Sequence, residues 1–533
     1  MIDVLIIGSG GAGLTAALEI KNSCDNVVVL SKTYPTASQT CQAQGGINAV
    51  LNDSIDTEQN HILDTLKSAH NLGDEETIKY MCQNSSKTIK WLDDIGVPFS
   101  RDEKNNIAQR TLGGASNPRA CYSSDYTGLK ILHTLYDTCL KNGINFINEH
   151  MLLNFIVIDE VVKGITALNI ETSEVIQILA KKVIIASGGY SGIYNQYTTN
   201  STATTGEVIS AALRAGCKLE NMEYVQFHPT SLKDSCILIS ESARGEGGYL
   251  VDSNGERFVD ELKPRDIVAR AIYNKIESGK DVFLDLRHLG KEKILKTMPQ
   301  EYDLCVNFIN LKLDEDLIPI KPAAHYTMGG IKVDINGKTN IKNLYAIGEC
   351  SSNGVHGANR LGGNSLLEII TFGKLVASNV LIDINGIEED LTNEYDILLK
   401  DKDFISSIFK KENKLNLYIE KESLGKLFYK KVGLFRDEDG LNIVLDEIDK
   451  LNEKICEIGI DDKSKIYNTN LKEYIELVNI IELSKIIVLS ALDRKESRGA
   501  HYRIDYKDEN KLYSKSTIIQ KINENIIIEV QNG

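Results

Sequence analysis

Residues 2–22 read IDVLIIGSGGAGLTAALEIKN, and residues 26–32 read NVVVLSK. An apolar run, a glycine-rich turn, a segment with helical spacing and a second apolar run follow one another, which predicts a strand–helix–strand unit. The turn matches G-x-G-x-x-G in the context that this motif requires. Its glycines allow a tight turn and a close backbone approach to a pyrophosphate, and the helix N-terminus offers unpaired N–H groups to phosphate. We therefore predict that a dinucleotide binds at Gly8, Gly10, Gly11, Ala12 and Gly13.

Later segments indicate which dinucleotide is bound. NAD-binding units place an acidic ribose ligand about 20 residues after the turn, but Ser31 and Lys32 occupy that strand end here. Two further strand–glycine signals, VIIASGG at 183–189 and LYAIGE at 344–349, lie far along the chain. Three such signals favour an extended FAD held by a two-part domain. The cofactor contacts predicted in these segments are Ser31, Lys32, Ala186, Ser187 and Gly188.

Composition limits the classes of function. The 533 residues are 42% hydrophobic and 25% charged, as in a globular chain of several domains. A net charge of −15 argues against a nucleic-acid partner, which needs a basic footprint. Ten cysteines without a C-x-x-C pair indicate free thiols in a reducing cytosol and no metal site built by this chain. We also expect no leader and no apolar run of 18 residues that could span a membrane.

Five glycine-adjacent segments concentrate histidine, arginine and carboxylate residues. They are QFHPT (226–230), SESARGEGG (240–248), KPRDIVARA (263–271), PAAHYTMGG (322–330) and HGANRLGGNSLLE (356–368). A substrate with two carboxylates needs several fixed cations or donors, for which arginine offers a bidentate fork and histidine a directed N–H. The five segments together predict a site for a small dicarboxylate.

One pair within these segments has the spacing of a proton relay. Glu241 and Arg244 are three residues apart, so on a helix or turn they face the same side. Such a pair could pass a proton to a nearby Arg265. Arginine is normally too basic to donate a proton, so this role requires a desolvated site and a relay that replaces each proton.

These segments together resemble the flavoprotein subunit of the succinate dehydrogenase and fumarate reductase family, with the L-aspartate oxidases as close relatives. The resemblance is dense over residues 1–385 and returns at ESRGAHYRIDY, residues 496–506. The motifs that carry it, besides those quoted above, are SKTYPTASQTCQAQGGINA (31–49), GEVISAALRAG (206–216), RGEGGYL (244–250) and PRDIVARAI (264–272).

The resemblance implies an α/β fold with a Rossmann-like FAD-binding domain and an inserted α+β capping domain. We predict the FAD-binding domain at 1–230 and 325–385 and the capping domain at 231–324. A helical domain at 386–498 and a short tail at 499–533, which contains a hairpin, complete the chain.

The resemblance also implies the roles of individual residues. Hydride passes between flavin N5 and a dicarboxylate carbon, Arg265 transfers the proton, and Glu241 and Arg244 form its relay. The residues implied to bind substrate are His228, Ser240, His325, Arg360, Leu112 and Gly45. The further residues implied to contact FAD are Ser38, Gln39, Thr40, Gln44, Gly45, Gly46, Glu349, Arg360, Asn364, Ser365 and Leu366.

One departure from the family pattern concerns the flavin linkage. Many members attach FAD covalently through a histidine in the segment RSHT, where this chain has Ala37-Ser38-Gln39-Thr40. Gln39 cannot form that bond, so we predict non-covalent FAD. Since covalent attachment is associated with a raised flavin potential in the family, a bias toward fumarate reduction follows.

The sequence leaves alternatives open. An L-aspartate oxidase, which makes iminoaspartate for NAD biosynthesis, would also lack the linking histidine, but it places a glutamate in the substrate loop where this chain has apolar Leu112. A flavin-binding scaffold without chemistry is a third reading. The family implies an iron–sulfur partner and membrane-anchor subunits, and hence a cytoplasmic location at the inner face of the membrane. The short C-terminal part leaves docking of that partner open.

Overall fold

The computed structural model describes residues 1–52, 54–384, 396–522 and 525–530. The strands are β1 (Ile2–Ile7), β2 (Val27–Leu30), β3 (Ile47–Asn48), β4 (Gln109–Arg110), β5 (Ala120–Cys121), β6 (Asn145–Ile147), β7 (His150–Ile158), β8 (Val161–Asn169), β9 (Val175–Ile185), β10 (Leu219–Glu220), β11 (Val225–Leu232), β12 (Tyr249–Asp252), β13 (Val282–Asp285), β14 (Ile318–Thr327), β15 (Gly330–Lys332), β16 (Leu344–Ala346), β17 (Ser351–Ser352), β18 (Thr517–Ile522) and β19 (Asn525–Val530). The helices are α1 (Gly11–Lys21), α2 (Glu58–Ser68), α3 (Glu75–Gln83), α4 (Ser85–Asp94), α5 (Thr127–Lys141), α6 (Glu207–Arg214), α7 (Glu241–Gly245), α8 (Arg265–Glu277), α9 (Lys291–Thr297), α10 (Pro299–Ile309), α11 (Asn364–Asp383), α12 (Asp396–Lys410), α13 (Leu417–Lys431), α14 (Glu438–Lys454) and α15 (Thr469–Asp493).

The N-terminal segment forms the predicted strand–helix–strand unit in the middle of the main sheet. Strands β6, β2, β1 and β9 lie side by side and parallel, and β16 adds to β9 in the same direction. The first half of β9 pairs with β8, and β8 with β7, as an antiparallel meander. The α/β fold class is confirmed, and the carboxyl ends of β1, β9 and β16 meet where a ligand of such a sheet binds.

An α+β lobe is inserted between β11 and β14. These two strands continue through β13 to β12 as one antiparallel sheet, with α7 to α10 between them. Val268 and Ile272 of α8 pack with Leu250, Val282 and other apolar residues into a core separate from that of the main sheet. The elements follow the predicted order, while the division into domains stays a prediction.

The C-terminal region is helical, as expected, and is followed by a hairpin. The predicted helical region begins at 386, and residues 385–395 lie outside the described residues. The predicted hairpin is β18 and β19, but it is not an independent tail. Strand β18 pairs with β10, so the hairpin extends a sheet that also contains β15 and β17.

Two helical regions near the site need separate description. Residues 58–94 form three helices, α2, α3 and α4, and Asp74 caps the start of α3 by accepting from Thr77 N. In addition, Asn364–Ile382 of α11 is long and apolar enough to cross a membrane by length and composition, with a mean hydropathy of 1.6. This helix packs against α1 and carries fully buried Glu368, which is how a core helix behaves.

Candidate active site

A single continuous cavity joins the glycine-rich turn to the histidine–arginine cluster. Its walls include Gly8 and Ser31 at one end and Arg265, His325 and Arg360 at the other. All the predicted site residues line this cavity except Gly13, Arg244 and Asn364. Residues more than 300 positions apart in the chain thus face one continuous space.

The glycine-rich turn has the backbone geometry that the motif predicts. Gly8 has a φ of 113°, and a Cβ there would lie 2.2 Å from the carbonyl oxygen of Ala186. A Cβ on Gly13 would lie 2.0 Å from the carbonyl oxygen of Gly8. Gly13 therefore packs α1 against β1 and lies behind the cavity wall, while the start of α1 faces the cavity.

Lys32, at the end of β2, pairs with a carboxylate that sequence spacing did not predict, that of Glu207. Lys32 Nζ lies 2.6 Å from Glu207 Oε1 and 3.1 Å from Glu476 Oε1. Burial lowers the pKa of Lys32, but the two carboxylates outweigh it and raise that pKa above its ordinary value. Lys32 and Glu207 both line the cavity. Glu207 was missed because it starts α6, far from the turn in sequence; its place beside glycine in GEVISAALRAG was the available signal.

The loop 38–46 forms another wall of the cavity. Gln39 donates to Asn200 Oδ1 at 2.9 Å and accepts from Ser201 N at 3.0 Å, so its amide is part of the wall. Within the part of the chain that the structure describes, Ser38 Oγ and Gln44 Oε1 are buried without a hydrogen-bond partner. Unpaired buried polar atoms are costly, so partners are expected here from a bound group. These residues fit a polar cofactor such as FAD.

The segment after β16 and the start of α11 also line the cavity. Glu349 accepts from Thr327 N at 3.0 Å, and burial raises the pKa of Glu349 to about 7. Ser365 and Leu366 line the cavity as predicted. Asn364 is absent from the lining because its side chain bonds Asn48 and Thr65 on the opposite side. It is better described as a residue that fixes the start of α11.

The predicted proton relay forms one hydrogen-bonded cluster. Arg265 Nη2 lies 2.6 Å from Glu241 Oε2, and Arg244 Nη2 lies 3.3 Å from Glu241 Oε1. Burial raises the pKa of Glu241, but Arg265 and then Arg244 bring it below its ordinary value. Arg244 is behind Glu241 and also donates to the carbonyl of Glu261 at 2.6 Å. The carboxylate therefore lies between two guanidiniums, of which only that of Arg265 reaches the cavity.

Gln226 is a contact of Arg265 that the sequence reasoning did not single out. Its Oε1 accepts from Arg265 Nη1 at 3.1 Å, while its amide nitrogen donates to the carbonyl of Arg360 at 2.8 Å. Gln226 therefore joins the two arginines through its one amide. Its position in QFHPT, beside the predicted His228, was the signal.

Two histidines and an arginine face Arg265 across the cavity. The rings of His228 and His325 have centroids 5.0 Å apart, and His325 Nδ1 lies 2.7 Å from Thr199 Oγ1. Burial first, and then neighbouring cationic groups, hold the pKa of both histidines well below the ordinary value. Both rings are therefore neutral at pH 7 without a bound anion.

Arg360 is the third of these groups. It is buried, its guanidinium carbon lies 4.3 Å from the Tyr326 ring centroid, and its Nε has no hydrogen-bond partner among the described residues. Burial, followed by Arg265, lowers the pKa of Arg360 to about 10. A guanidinium with an unused donor beside a second one provides a binding site for an anion.

Ser240, Leu112 and Gly45 complete the wall near the cluster. Ser240 is the N-cap of α7, where its Oγ accepts from Ser242 N at 3.1 Å. Leu112 is buried and apolar, and a Cβ added to Gly45 would lie 3.6 Å from it. This arrangement can hold a small dianion between arginines and histidines and supply a proton from Arg265.

Comparisons with known proteins show which family this chain resembles. A family model described as FAD binding domain matches residues 3–366, and one described as fumarate reductase flavoprotein C-term matches residues 421–532. The 8-methylmenaquinol:fumarate reductase flavoprotein subunit of Wolinella succinogenes is 39% identical, over 95% of this chain and 86% of that protein. The succinate dehydrogenase flavoprotein subunit of Coxiella burnetii is 38% identical, over 95% of this chain and 92% of that protein.

Solved structures give the same picture. A quinol-fumarate reductase with menaquinol molecules superposes with a TM-score of 0.93 at 32% identity, covering 99% of this chain and 97% of that chain. A mutant quinol fumarate reductase of E. coli also reaches 0.93 at 32% identity, covering 100% of this chain and 96% of that chain.

Proposed function

Because the chain belongs to the family of succinate dehydrogenase and fumarate reductase flavoprotein subunits, we propose that it interconverts fumarate and succinate in the cavity described above. Members of this family are FAD-dependent oxidoreductases that act on CH–CH groups. The observation that carries the proposal is the continuity of the cavity, which links the dinucleotide turn at Gly8 to Arg265. A cofactor bound at the turn could thus extend to the dicarboxylate site.

The residues near Arg265 suit a dicarboxylate. Arg360 can bind one carboxylate as a fork, and His228 and His325 lie close enough to each other to share the other with Ser240. These side chains are buried, so charges interact more strongly here than at the protein surface. Buried Leu112 offers no anion to an amino group, and the relatives named above are succinate dehydrogenase and fumarate reductase subunits, so aspartate oxidation is not proposed.

When bound, FAD supplies or accepts the hydride at one carbon of the double bond. For fumarate reduction, Arg265 donates a proton from its guanidinium to the other carbon, and hydride plus proton convert fumarate into succinate. The Glu241 carboxylate then takes a proton from the side of Arg244 and passes it to the deprotonated Arg265 through their 2.6 Å contact, which leaves Glu241 ionised again. The ion pairs on both sides of Glu241 hold these groups in line for transfer.

We infer non-covalent FAD and a bias toward fumarate reduction from Gln39. Its amide is held by Asn200 and Ser201, and it has no ring nitrogen that could bond the flavin. A redox titration of the FAD-loaded protein tests the bias. A flavin potential at or below the fumarate/succinate couple is expected, and one well above it would contradict the bias.

We propose that electrons reach the flavin from an iron–sulfur subunit and that membrane-anchor subunits hold the complex at the cytoplasmic face of the membrane. Support comes from the family model that matches residues 421–532 and from the flavoprotein subunits that resemble this chain over nearly its whole length. Co-purification of the tagged chain with a cysteine-rich partner would support this assembly.

One assay tests the proposed reaction. The purified, FAD-loaded protein is given reduced viologen with fumarate and, separately, L-aspartate with oxygen. Viologen oxidation that depends on fumarate, with no peroxide from aspartate, is expected. Peroxide formation that depends on aspartate would overturn the proposal in favour of an oxidase. No turnover in either assay would indicate a flavin-binding scaffold without catalytic activity.

A further inference from the structure

Two buried carboxyl groups that the proposed reaction does not use lie between the inserted lobe and the FAD-binding half. Glu301, in the first turn of α10, and Asp125, in the loop before α5, are both fully buried. Asp125 Oδ2 accepts from the backbone N–H of Glu301 at 3.0 Å. Glu301 Oε1 in turn accepts from the backbone N–H of Ser240 at 2.7 Å. A chain of hydrogen bonds therefore runs from Asp125 through Glu301 to the substrate site.

The second of these bonds fixes the start of the relay helix. Ser240 is the N-cap of α7, whose first residue is Glu241 and whose fourth is Arg244. A displaced Ser240 would move both a predicted substrate ligand and the carboxylate that contacts Arg265. Because misplacement by about 1 Å can cost on the order of 100-fold in rate, the anchor of this turn matters for turnover.

The charge balance around Glu301 favours protonation of one of the two carboxyl groups. The cation that faces both carboxyl groups is Arg110, whose guanidinium also faces Glu246 and Tyr122. Cys305 faces Glu301 from its own helix. Two carboxylates close together in a buried site cannot both ionise without a large cost.

The hydrogen bonds in the described part of the chain leave one oxygen of each carboxyl group unpaired. Within the described residues, Glu301 Oε2 and Asp125 Oδ1 are buried without a partner, as is Arg110 Nη1. Burial and then the charge of Asp125 raise the pKa of Glu301 to about 8, and burial raises that of Asp125 to about 6. The Glu301 carboxyl group thus holds the proton at neutral pH.

We propose that Glu301 is a positioning residue that acts in its protonated form. Its carboxyl group holds Ser240 and the start of the relay helix, and because that group is uncharged it does not repel Asp125, which binds the inserted lobe through the Glu301 backbone N–H. The inference rests on the proposed function, because it concerns the same site. Ionisation of both carboxyl groups at alkaline pH places two like charges across this contact. The lobe then moves away from the FAD-binding half, and the affinity for fumarate falls.

Three variants test the proposal. Glu301→Gln keeps the acceptor for Ser240 N–H and cannot ionise, whereas Glu301→Ala loses both properties. Glu315→Gln is the matched control, because Glu315 lies on the same lobe in an exposed ion pair with Lys312. The turnover number and KM for fumarate are measured from about pH 6 to pH 9, and Tm is measured over the same range without substrate.

The expected results differ between the variants. Glu301→Ala should lose about tenfold or more in kcat/KM at every pH, the equivalent of a lost hydrogen bond to a positioned group. Glu301→Gln should recover most of that loss near neutrality and should not show the wild-type rise of KM above about pH 8. Glu315→Gln should follow the wild type.

The stability readout does not depend on activity. An acid whose pKa is raised from 4.5 to about 8 by folding binds more protons in the folded state, so wild-type stability falls as pH rises through this window. Since Glu301→Gln cannot ionise, its Tm should rise relative to the wild type as pH increases.

The outcomes also separate this inference from the proposed function. Equal losses in Glu301→Gln and Glu301→Ala, or an unchanged alkaline rise of KM in Glu301→Gln, would overturn the positioning role. If the wild-type protein does not reduce fumarate at any pH, the proposed function is overturned instead. In that case, parallel Tm curves for the wild type and Glu301→Gln would also overturn the inference about the proton, and diverging curves would support it.

Discussion

Arg265 derives its orientation from partners on two other elements. Its Nη2 and Nε bind Glu241 Oε2 at 2.6 and 3.2 Å, and its Nη1 binds Gln226 at 3.1 Å. Glu241 comes from α7 and Gln226 from β11, so the guanidinium is fixed from two directions. A lysine carries all its donors on one flexible ammonium nitrogen and could not make the same set of bonds.

Arg265→Lys should reduce fumarate turnover by on the order of 100-fold or more, because lysine keeps the charge but loses the fork and the placement of the proton. FAD should remain bound, which the flavin absorbance of the purified variant will show. Arg287→Lys is the matched control, since Arg287 is an exposed arginine of the same lobe paired with Asp285. Near-normal turnover in Arg265→Lys would count against its role as proton donor.

Gln39→His restores a ring nitrogen at the position where many family members link their flavin. We expect part of the purified variant to retain flavin fluorescence after acid denaturation, whereas the wild type should release all its FAD. Gln39→Asn is the control, because it changes the length of the same side chain without adding a nucleophile. Acid-stable flavin in the wild type would refute the prediction of non-covalent attachment.

At the scale of elements, α5 supports the loop that forms the cofactor wall. The backbone N–H of Gly128 donates to the carbonyl of Ala43 at 2.7 Å. A Cβ on Gly128 would lie 2.1 Å from the carbonyl oxygen of Thr40 and 2.8 Å from Ala43 Cβ. The absence of a side chain at Gly128 therefore lets α5 and the loop 38–46 touch.

Gly128→Ala should push this loop from α5 and weaken FAD binding by about tenfold, since overpacking a close contact costs about 1–3 kcal/mol. The dissociation constant for FAD, measured by quenching of flavin fluorescence, checks it. Lys130→Ala on the exposed face of the same helix should leave the constant unchanged. Equal FAD affinity in both variants would show that the loop does not depend on α5.

At the scale of the molecule, a buried charge network ties the helical C-terminal region to the cofactor end of the cavity. Glu476 of α15 is fully buried and lies 3.1 Å from Lys32 and 3.3 Å from Lys421 of α13. Lys32 lines the cavity and also pairs with Glu207. The helices that follow residue 396 thus determine where a cavity-lining lysine points.

Glu476→Gln should destabilise the fold by about 1.5–3 kcal/mol, because it removes a buried carboxylate that Lys32 and Lys421 share, while each lysine keeps one other carboxylate. Lower Tm and faster loss of FAD on dilution are expected together. Glu447→Gln is the control, since its ion pair with Lys450 is exposed and such pairs contribute about 0–1 kcal/mol. If Glu476→Gln retained both Tm and FAD like the control, the network would not connect the two regions.

Much of the site could be predicted from sequence because its motifs combine local geometry with chemistry. The packing of Gly13 on Gly8 and the pair Glu241 and Arg244 depend on residues within a few positions. The Asn364 side chain lies away from the cavity, because the orientation of α11 decides which of its residues face that space. The partners Glu207 and Gln226 could not be assigned, since nothing in their spacing shows which distant side chain they meet.

The sequence by itself determined the cofactor-binding unit and the order of the elements, and it placed the arginines and histidines of the proposed substrate site in a few motifs, because glycine spacing and apolar periodicity have local physical causes. Only the tertiary structure decided that Asp125 and Glu301 share a buried contact under Ser240, and that Lys32 is paired with Glu476. Those contacts join residues about 60 to 440 positions apart. Burial and charge balance act between neighbours in space, so no local pattern encodes them.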